Sequence, residues 1–187
     1  MRHHFLSSFS PPFSLPLVLL VVLFGFALTG CSEAPEQSAL AAPQPITDGD
    51  ACHVCGMTIV NFPGPKGQAF MSGDHEALKF CSTMDLFAFL RQPENEIQIS
   101  HAYVHDIGKT PWEAPADDAY IRAVDAWYVV GHDQPGAMGH TLASFAEQGQ
   151  AKDFSDEHGG EVIRFEDIDL ELLGRLGRGE MGEHHAE

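Results

Sequence analysis

An apolar run from Leu15 to Leu28 follows a weakly positive start, Arg2-His3-His4, and ends in Leu28-Thr29-Gly30-Cys31, so it divides the 187-residue chain before any fold is considered. A helix that crosses a bilayer needs about 20 apolar residues, and this run is shorter. Small residues ahead of a cysteine resemble a bacterial lipobox, where a signal peptidase cuts before a lipidated thiol. An ordinary secretory signal with Cys31 incidental is the competing reading. Under the lipobox reading residues 1–30 are removed and lipid on Cys31 anchors the chain to a membrane, facing the periplasm. Ser32 after the cysteine, rather than Asp, is the outer-membrane sorting choice.

The rest of the chain is acidic. Ten Lys and Arg stand against 27 Asp and Glu, a net charge of −17, and every acidic residue lies beyond Cys31. Affinity for a phosphate backbone comes largely from cationic side chains that displace counterions, so a nucleic-acid partner is excluded as an expectation. No basic patch faces anionic lipid. Residues 31–49 hold three prolines and no hydrophobic period, which predicts a flexible tether with the folded part starting near Asp50.

Without Cys31 three thiols remain, Cys52, Cys55 and Cys81, an odd number for an oxidising compartment. Four readings of Cys52-x-x-Cys55 compete. A thioredoxin-like pair sits between a strand and a helix N-terminus, where the helix dipole acidifies the thiol. Here the motif leads instead into strand-like Thr58-Ile59-Val60 and then Pro63 and Pro65. A structural zinc site needs a fourth ligand beside the three cysteines, from His53, His75 or His101, and no spacing completes it. A Cys52–Cys55 disulfide is the plain structural reading.

The fourth reading starts from Cys55-Gly56-Met57. In an extended segment residues i and i+2 project to one face, so the Cys55 thiolate and the Met57 thioether could meet one ion. Two soft sulfurs suit Cu(I) rather than Zn²⁺ or a hard cation. On the residue alone, a methionine here is more often core filler.

Asp50-Ala51-Cys52-His53-Val54-Cys55-Gly56-Met57-Thr58-Ile59 is followed by Pro63-Gly64-Pro65-Lys66-Gly67-Gln68-Ala69, then Phe80-Cys81-Ser82-Thr83, Ala137-Met138-Gly139-His140 and Gly159-Gly160. That ordered set, over residues 50–168, resembles the NosL family of copper-binding accessory lipoproteins of nitrous oxide reductase. The resemblance implies a non-enzymatic Cu(I) chaperone with no catalytic residues and no small-molecule substrate. It would serve assembly of the reductase's copper-sulfide centre together with an ABC-type membrane complex. The family's Cys-x-Met core maps onto Cys55 and Met57, with Cys52 accessory. Its Met-Gly element falls on Met138-Gly139, a third ligand, a docking residue, or a buried Met ahead of a helix. A thiol-disulfide oxidoreductase using Cys52 and Cys55 is the alternative function.

The pattern of the folded part predicts an α+β protein of two small, similar ββαβ-like units packed together, and the resemblance implies the same. Strand-like runs lie at residues 68–71, 97–105, 126–130 and 161–165, and helical runs at 82–91 and 140–150. Ser82 is the expected N-cap and Pro93 the stop. Gly73 precedes Phe87 by the spacing that separates Gly131 from Phe145, and this weak repeat places Met138 opposite Phe80 and Gly139 opposite Cys81. The first unit is expected over 50–110, the connection at Pro111–Pro115, the second unit over 111–170, and a polar disordered tail over 171–187. Trp112 and Trp127 read as packing residues. Among the histidines only His53, inside the Cys-x-x-Cys loop, and His140, after Met138-Gly139, are candidates for an imidazole ligand; His184 and His185 belong to the tail.

Overall fold

Strand β1, Gly67–Met71, is central to the first sheet, and its residues 67–70 are buried on both faces rather than alternately. A computed structural model describes residues 40–181; Cys31, the leader and the last six residues lie outside them. β1 pairs antiparallel with β2 (Ala77–Phe80) and β3 (Ile99–His105), and β4 (Tyr120–Arg122) extends the sheet beyond β3 in the order β2-β1-β3-β4. The second sheet is β6-β5-β7, built from β5 (Trp127–Val130), β6 (Ala143–Phe145) and β7 (Glu161–Arg164).

Each sheet has a hairpin, then a helix, then a strand that returns to the other side of the central strand, so the expected pair of ββαβ units is present. In the first unit helix α1, Thr83–Leu90, follows β2, and a single-turn helix α2, Pro93–Glu96, precedes β3. In the second, α3, Gln148–His158, lies between β6 and β7. A fourth helix, α4, Leu170–Gly177, closes the described chain.

Helix α1 begins as its residues dictate. Ser82 is extended and its hydroxyl accepts the Asp85 amide N–H at 3.0 Å, a cap that contributes about 1 kcal/mol. Gly67 is required beneath it, because a Cβ there would stand 2.6 Å from Leu86 Cδ2. The opposite side of α1 meets the second sheet: Phe87 lies edge-on to Tyr128 at 5.1 Å, and both rings are fully buried. Helix α1 therefore sits between the sheets, and one main core holds residues of both units.

The other face of the first sheet is covered by the residues expected to form the end of the tether. The Gln44 N–H donates to Gln68 Oε1 at 2.8 Å, Gln68 Nε2 donates back to Gln44 O at 2.6 Å, and Tyr103 OH donates to Ala41 O at 3.0 Å. The Ile46 N–H is held by Asp117 Oδ1 at 3.0 Å. Residues 40–49 are thus part of the folded domain. They satisfy polar groups on a sheet face that would otherwise be open to water, which the composition of the segment does not reveal.

Several boundaries differ from the sequence reading. The run 140–150 is not a helix: residues 143–145 form β6, whose Ser144 pairs with Tyr128, and α3 starts at Gln148. Tertiary pairing overrides local helix preference there. Thr58-Ile59-Val60 is not a strand, because Ile59–Asn61 makes one 3-10 turn. Pro93 starts a turn of helix rather than only ending one. Pro111–Pro115 lies within the loop joining β3 to β4, so the passage between the units comes after Arg122, not at residue 111. The tail expected from residue 171 contains α4, whose Leu172, Leu173 and Leu176 are buried and whose Asp169 side chain accepts the Leu172 N–H at 2.7 Å. Three leucines on one face contribute roughly 1.5–3 kcal/mol each, enough to hold a short helix on the core. No helix among the described residues is long and apolar enough to cross a membrane.

Candidate metal centre

The Cys-x-x-Cys segment forms a tight hairpin beside edge strand β2, next to the start of α1. Ala51 bridges Thr58, the Cys52 N–H donates to Met57 O at 2.9 Å, and the Gly56 N–H donates to Cys52 O at 2.9 Å. Gly56 adopts φ +74°, the left-handed region that a side chain disfavours. The hairpin is fixed to β2 by the His53 N–H, which donates to Lys79 O at 2.8 Å. Residues 53–55 make the turn and Gly56 has positive φ, so residues 55–57 are not the extended run that would align Cys55 with Met57.

Cys81 reaches the same place from the other direction. It follows the last residue of β2 and precedes the cap of α1, and Asp85 lies one helical turn further on. The ligand atoms of Cys52, Cys55, Cys81 and Asp85 all lie within 4.8 Å of one another. Cys55 Sγ and Cys81 Sγ are 3.5 Å apart, and all three thiols are free. Cys52, Cys81 and Asp85 are buried while Cys55 is half-buried, so the cluster has one exposed mouth.

The carboxylate organises this pocket. Asp85 Oδ2 accepts the Cys81 thiol at 3.0 Å and the Ser82 hydroxyl at 3.1 Å, with Cys52 Sγ 3.9 Å away. With the Cys81 thiol as a donor beside it, Cys52 is lowered to about 5 from the ordinary thiol range, against the opposing effect of burial. Cys81 is pushed up by its contact with Cys52, by burial and by Asp85. Burial raises Cys55 as well. The cluster therefore holds one acidic thiol and two that keep their protons.

That arrangement fits a single soft ion. Metal–sulfur bonds of about 2.3 Å place sulfurs ~3.8 to ~4.0 Å apart around one centre, close to the spacing seen. Cys52 is fully part of the group, not merely beside it. Spacing along the chain does not pair Cys81 and Asp85 with the Cys-x-x-Cys, although Cys81-x-x-x-Asp85 spans one helical turn and flanks the Ser82 cap, a signal that places both groups at one helix start.

The other candidates fall in different places. Met57 is half-buried and packs against the main core. His53 is exposed, its ring edge-on to Phe89 at 5.0 Å and Phe80 at 5.9 Å, and it is not one of the four clustered residues. Met138 is 65% exposed, so it is not a buried filler, and it precedes a strand rather than a helix. Its loop is nevertheless tied to the start of α1: Thr83 Oγ1 donates to Leu142 O at 2.6 Å, two residues beyond Cys81. His140 is exposed on the same loop, in a basin with His132, Asp133 and His158. Trp112 packs: its Nε1 donates to Pro135 O at 3.0 Å and its ring stacks on Phe154.

Fold and site together define a small α+β metal-binding type of domain, with its donor chemistry gathered in one thiol-rich pocket at the mouth of the first sheet. The chain belongs to the NosL family, which matches residues 43–173. It is 50% identical over 155 residues to the copper-binding lipoprotein NosL of Stutzerimonas stutzeri, covering 83% of this chain and 80% of that protein. Identity to the copper-binding lipoprotein NosL of Achromobacter cycloclastes is 36% over 144 residues, 75% of this chain and 74% of the other. The crystal structure of the copper chaperone NosL from Shewanella denitrificans superposes with a TM-score of 0.68 at 43% identity, covering 70% of this chain and 97% of that one.

Proposed function

We propose that this protein is a Cu(I) carrier, not an enzyme, lipid-anchored through Cys31 and facing the periplasm at the outer membrane. It delivers copper for assembly of the copper-sulfide centre of nitrous oxide reductase, together with an ABC-type membrane complex. The observation that carries the reading is the convergence of three free thiols from two chain segments at one half-exposed mouth. Soft thiolates select Cu(I), and relatives across most of the chain are named for copper binding.

Cys55, at the mouth, is the thiol that an incoming ion meets first and that gives up its proton on binding, with Met57 as the thioether on the same hairpin and Cys81 directly behind it. Met138, exposed on the neighbouring loop, touches the ion or the partner during transfer. A site with an open side lets a partner's ligand enter before the first is released, so copper moves by ligand exchange and no substrate bond is broken.

Competition with a chromophoric Cu(I) chelator tests this. One Cu(I) per molecule is expected. Cys55→Ser and Met57→Leu should weaken binding by orders of magnitude, and Cys52→Ser by less. An oxidoreductase would instead need Cys52 and Cys55 equally and tolerate loss of Met57. The Cys-x-x-Cys lies on a hairpin and does not itself lead into an α-helix, which does not favour that alternative.

One observation favours a second metal: Asp85 supplies the fourth donor that a zinc site requires. Asp85 Oδ2 is, however, held by the Ser82 hydroxyl, and soft Cu(I) prefers sulfur to a carboxylate oxygen. Asp85→Asn should therefore spare most Cu(I) affinity, whereas a zinc centre would lose its fourth ligand.

A further inference from the structure

Lys66 is an anomaly beside this cluster. Its side chain is only 3% exposed, yet its ammonium contacts carbonyl groups alone: Nζ donates to Phe62 O at 2.7 Å, Pro63 O at 2.9 Å and Gly64 O at 2.8 Å. Those three bonds use all its protons but bring no negative charge. Buried charges are ordinarily paired. Lys79 is paired with Asp50 at 2.7 Å and Lys109 with Asp106 at 3.1 Å, while Lys66 has no carboxylate partner among the described residues.

The position of Lys66 names the missing partner. Gly67 of β1 faces Phe80 of β2 in an antiparallel pair. One residue outward on each strand are Lys66 and Cys81, which that register sets opposite each other, with Cys55 of the hairpin 3.5 Å from Cys81. Cu(I) bound by two thiolates carries one net negative charge, and by three it carries two, in addition to the charge of the Asp85 carboxylate. The carbonyl cage holds the ammonium on the strand that lies opposite Cys81, and its protons, already bonded, do not compete for the sulfurs.

We infer that Lys66 is the built-in counter-charge of the copper-loaded thiolate cluster, a positioning residue that sets how tightly the cluster holds Cu(I). The inference rests on the copper-carrier reading and goes beyond it. It also accounts for a buried amine with no partner. Burial lowers the Lys66 amine to about 8, and a Cys81 thiolate is the charge that would raise it again.

The test is Cu(I) competition with wild type, Lys66→Met and Lys66→Arg. Lys66→Met should bind about tenfold or more weakly, and Lys66→Arg should stay within about threefold of wild type. If wild type takes no Cu(I) from the chelator, the carrier reading fails and this inference with it. If wild type binds and Lys66→Met binds as well, or Lys66→Arg loses as much as Lys66→Met, only the role of Lys66 is overturned. A second measurement needs no variant. In ¹⁵N NMR of the wild-type side-chain amine, Cu(I) loading should move the Lys66 titration upward from about 8 by one unit or more, because coupling between the two charges is reciprocal. An unmoved midpoint also overturns the inference.

Discussion

The two units share a strand order and a helix position but differ in what their loops add. In the first, residues 72–76 join β1 to β2; in the second, residues 131–142 join β5 to β6, seven residues more. After that hairpin both units take two residues to reach their helix, so the structural counterpart of Cys81 is Ala146. The sequence register that set Gly139 opposite Cys81 fails because it carried no allowance for the longer loop. What remains of the repeat is architecture. The donor set is confined to the first unit, where the added hairpin brings Cys52 and Cys55 over the end of β2, and the second unit contributes a long loop carrying Met138 instead.

The sharpest way to break this comparison is to make the first unit resemble the second. Cys81→Ala should lower Cu(I) affinity by at least about a hundredfold in chelator competition, while Ala146→Cys should create no second site. Equal stoichiometry and affinity in the first variant would contradict the asymmetry.

Next in size is the helix that closes the core shared by both units. Leu176→Ala on α4 should cost about 2–5 kcal/mol in denaturant unfolding, with one Cu(I) still bound per folded molecule. Loss below about 0.5 kcal/mol would mean that α4 is not packed as described.

Each unit also holds one neutral histidine whose burial resists protonation. Burial lowers His105, at the end of β3, to about 3, and lowers His132, just after β5, to about 4. Both would titrate near 6.5 in the unfolded chain, which therefore binds more protons as the pH falls. Stability should drop below pH ~6.5 by about 1.4 kcal/mol per unit for each histidine, levelling near pH 4 for His132 and pH 3 for His105. Unfolding free energies at pH 7 and pH 5 read this directly, and a flat profile would contradict the buried neutral pair.

The smallest expected effect belongs to the loop of the second unit. Met138→Ala should change equilibrium Cu(I) affinity only a few-fold, because its side chain is exposed in the copper-free fold, and should act more on the rate at which the chelator removes copper. A loss as large as that of Cys81→Ala would make Met138 a full ligand and extend the site across both units.

Much of this molecule is legible in the sequence where the signal is local. The strands β1, β3, β5 and β7, the Ser82 cap and helix α1 follow from periodicity and capping, and Cys52 and Cys55 announce themselves by spacing. What depends on register and coverage is not legible. Cys81 and Asp85 join the cluster because β2 ends beside the hairpin, and nothing in the spacing of residues 55 and 81 states that. Residues 40–49 have the composition of a linker, yet their backbone groups answer Gln68 and Tyr103, polar side chains on a buried sheet face. The leucines of α4 do lie on one face, but the resemblance reaches only to residue 168 and the polar ends around them suggest a tail.

X-ray absorption of the Cu(I)-loaded protein bears most directly on the claim that the thiol cluster of the first unit holds the ion. Two or three sulfur neighbours, reduced in number by Cys81→Ala and unchanged by Ala146→Cys, are the predicted result. A first shell of nitrogen and oxygen only, the same in both variants, would contradict it.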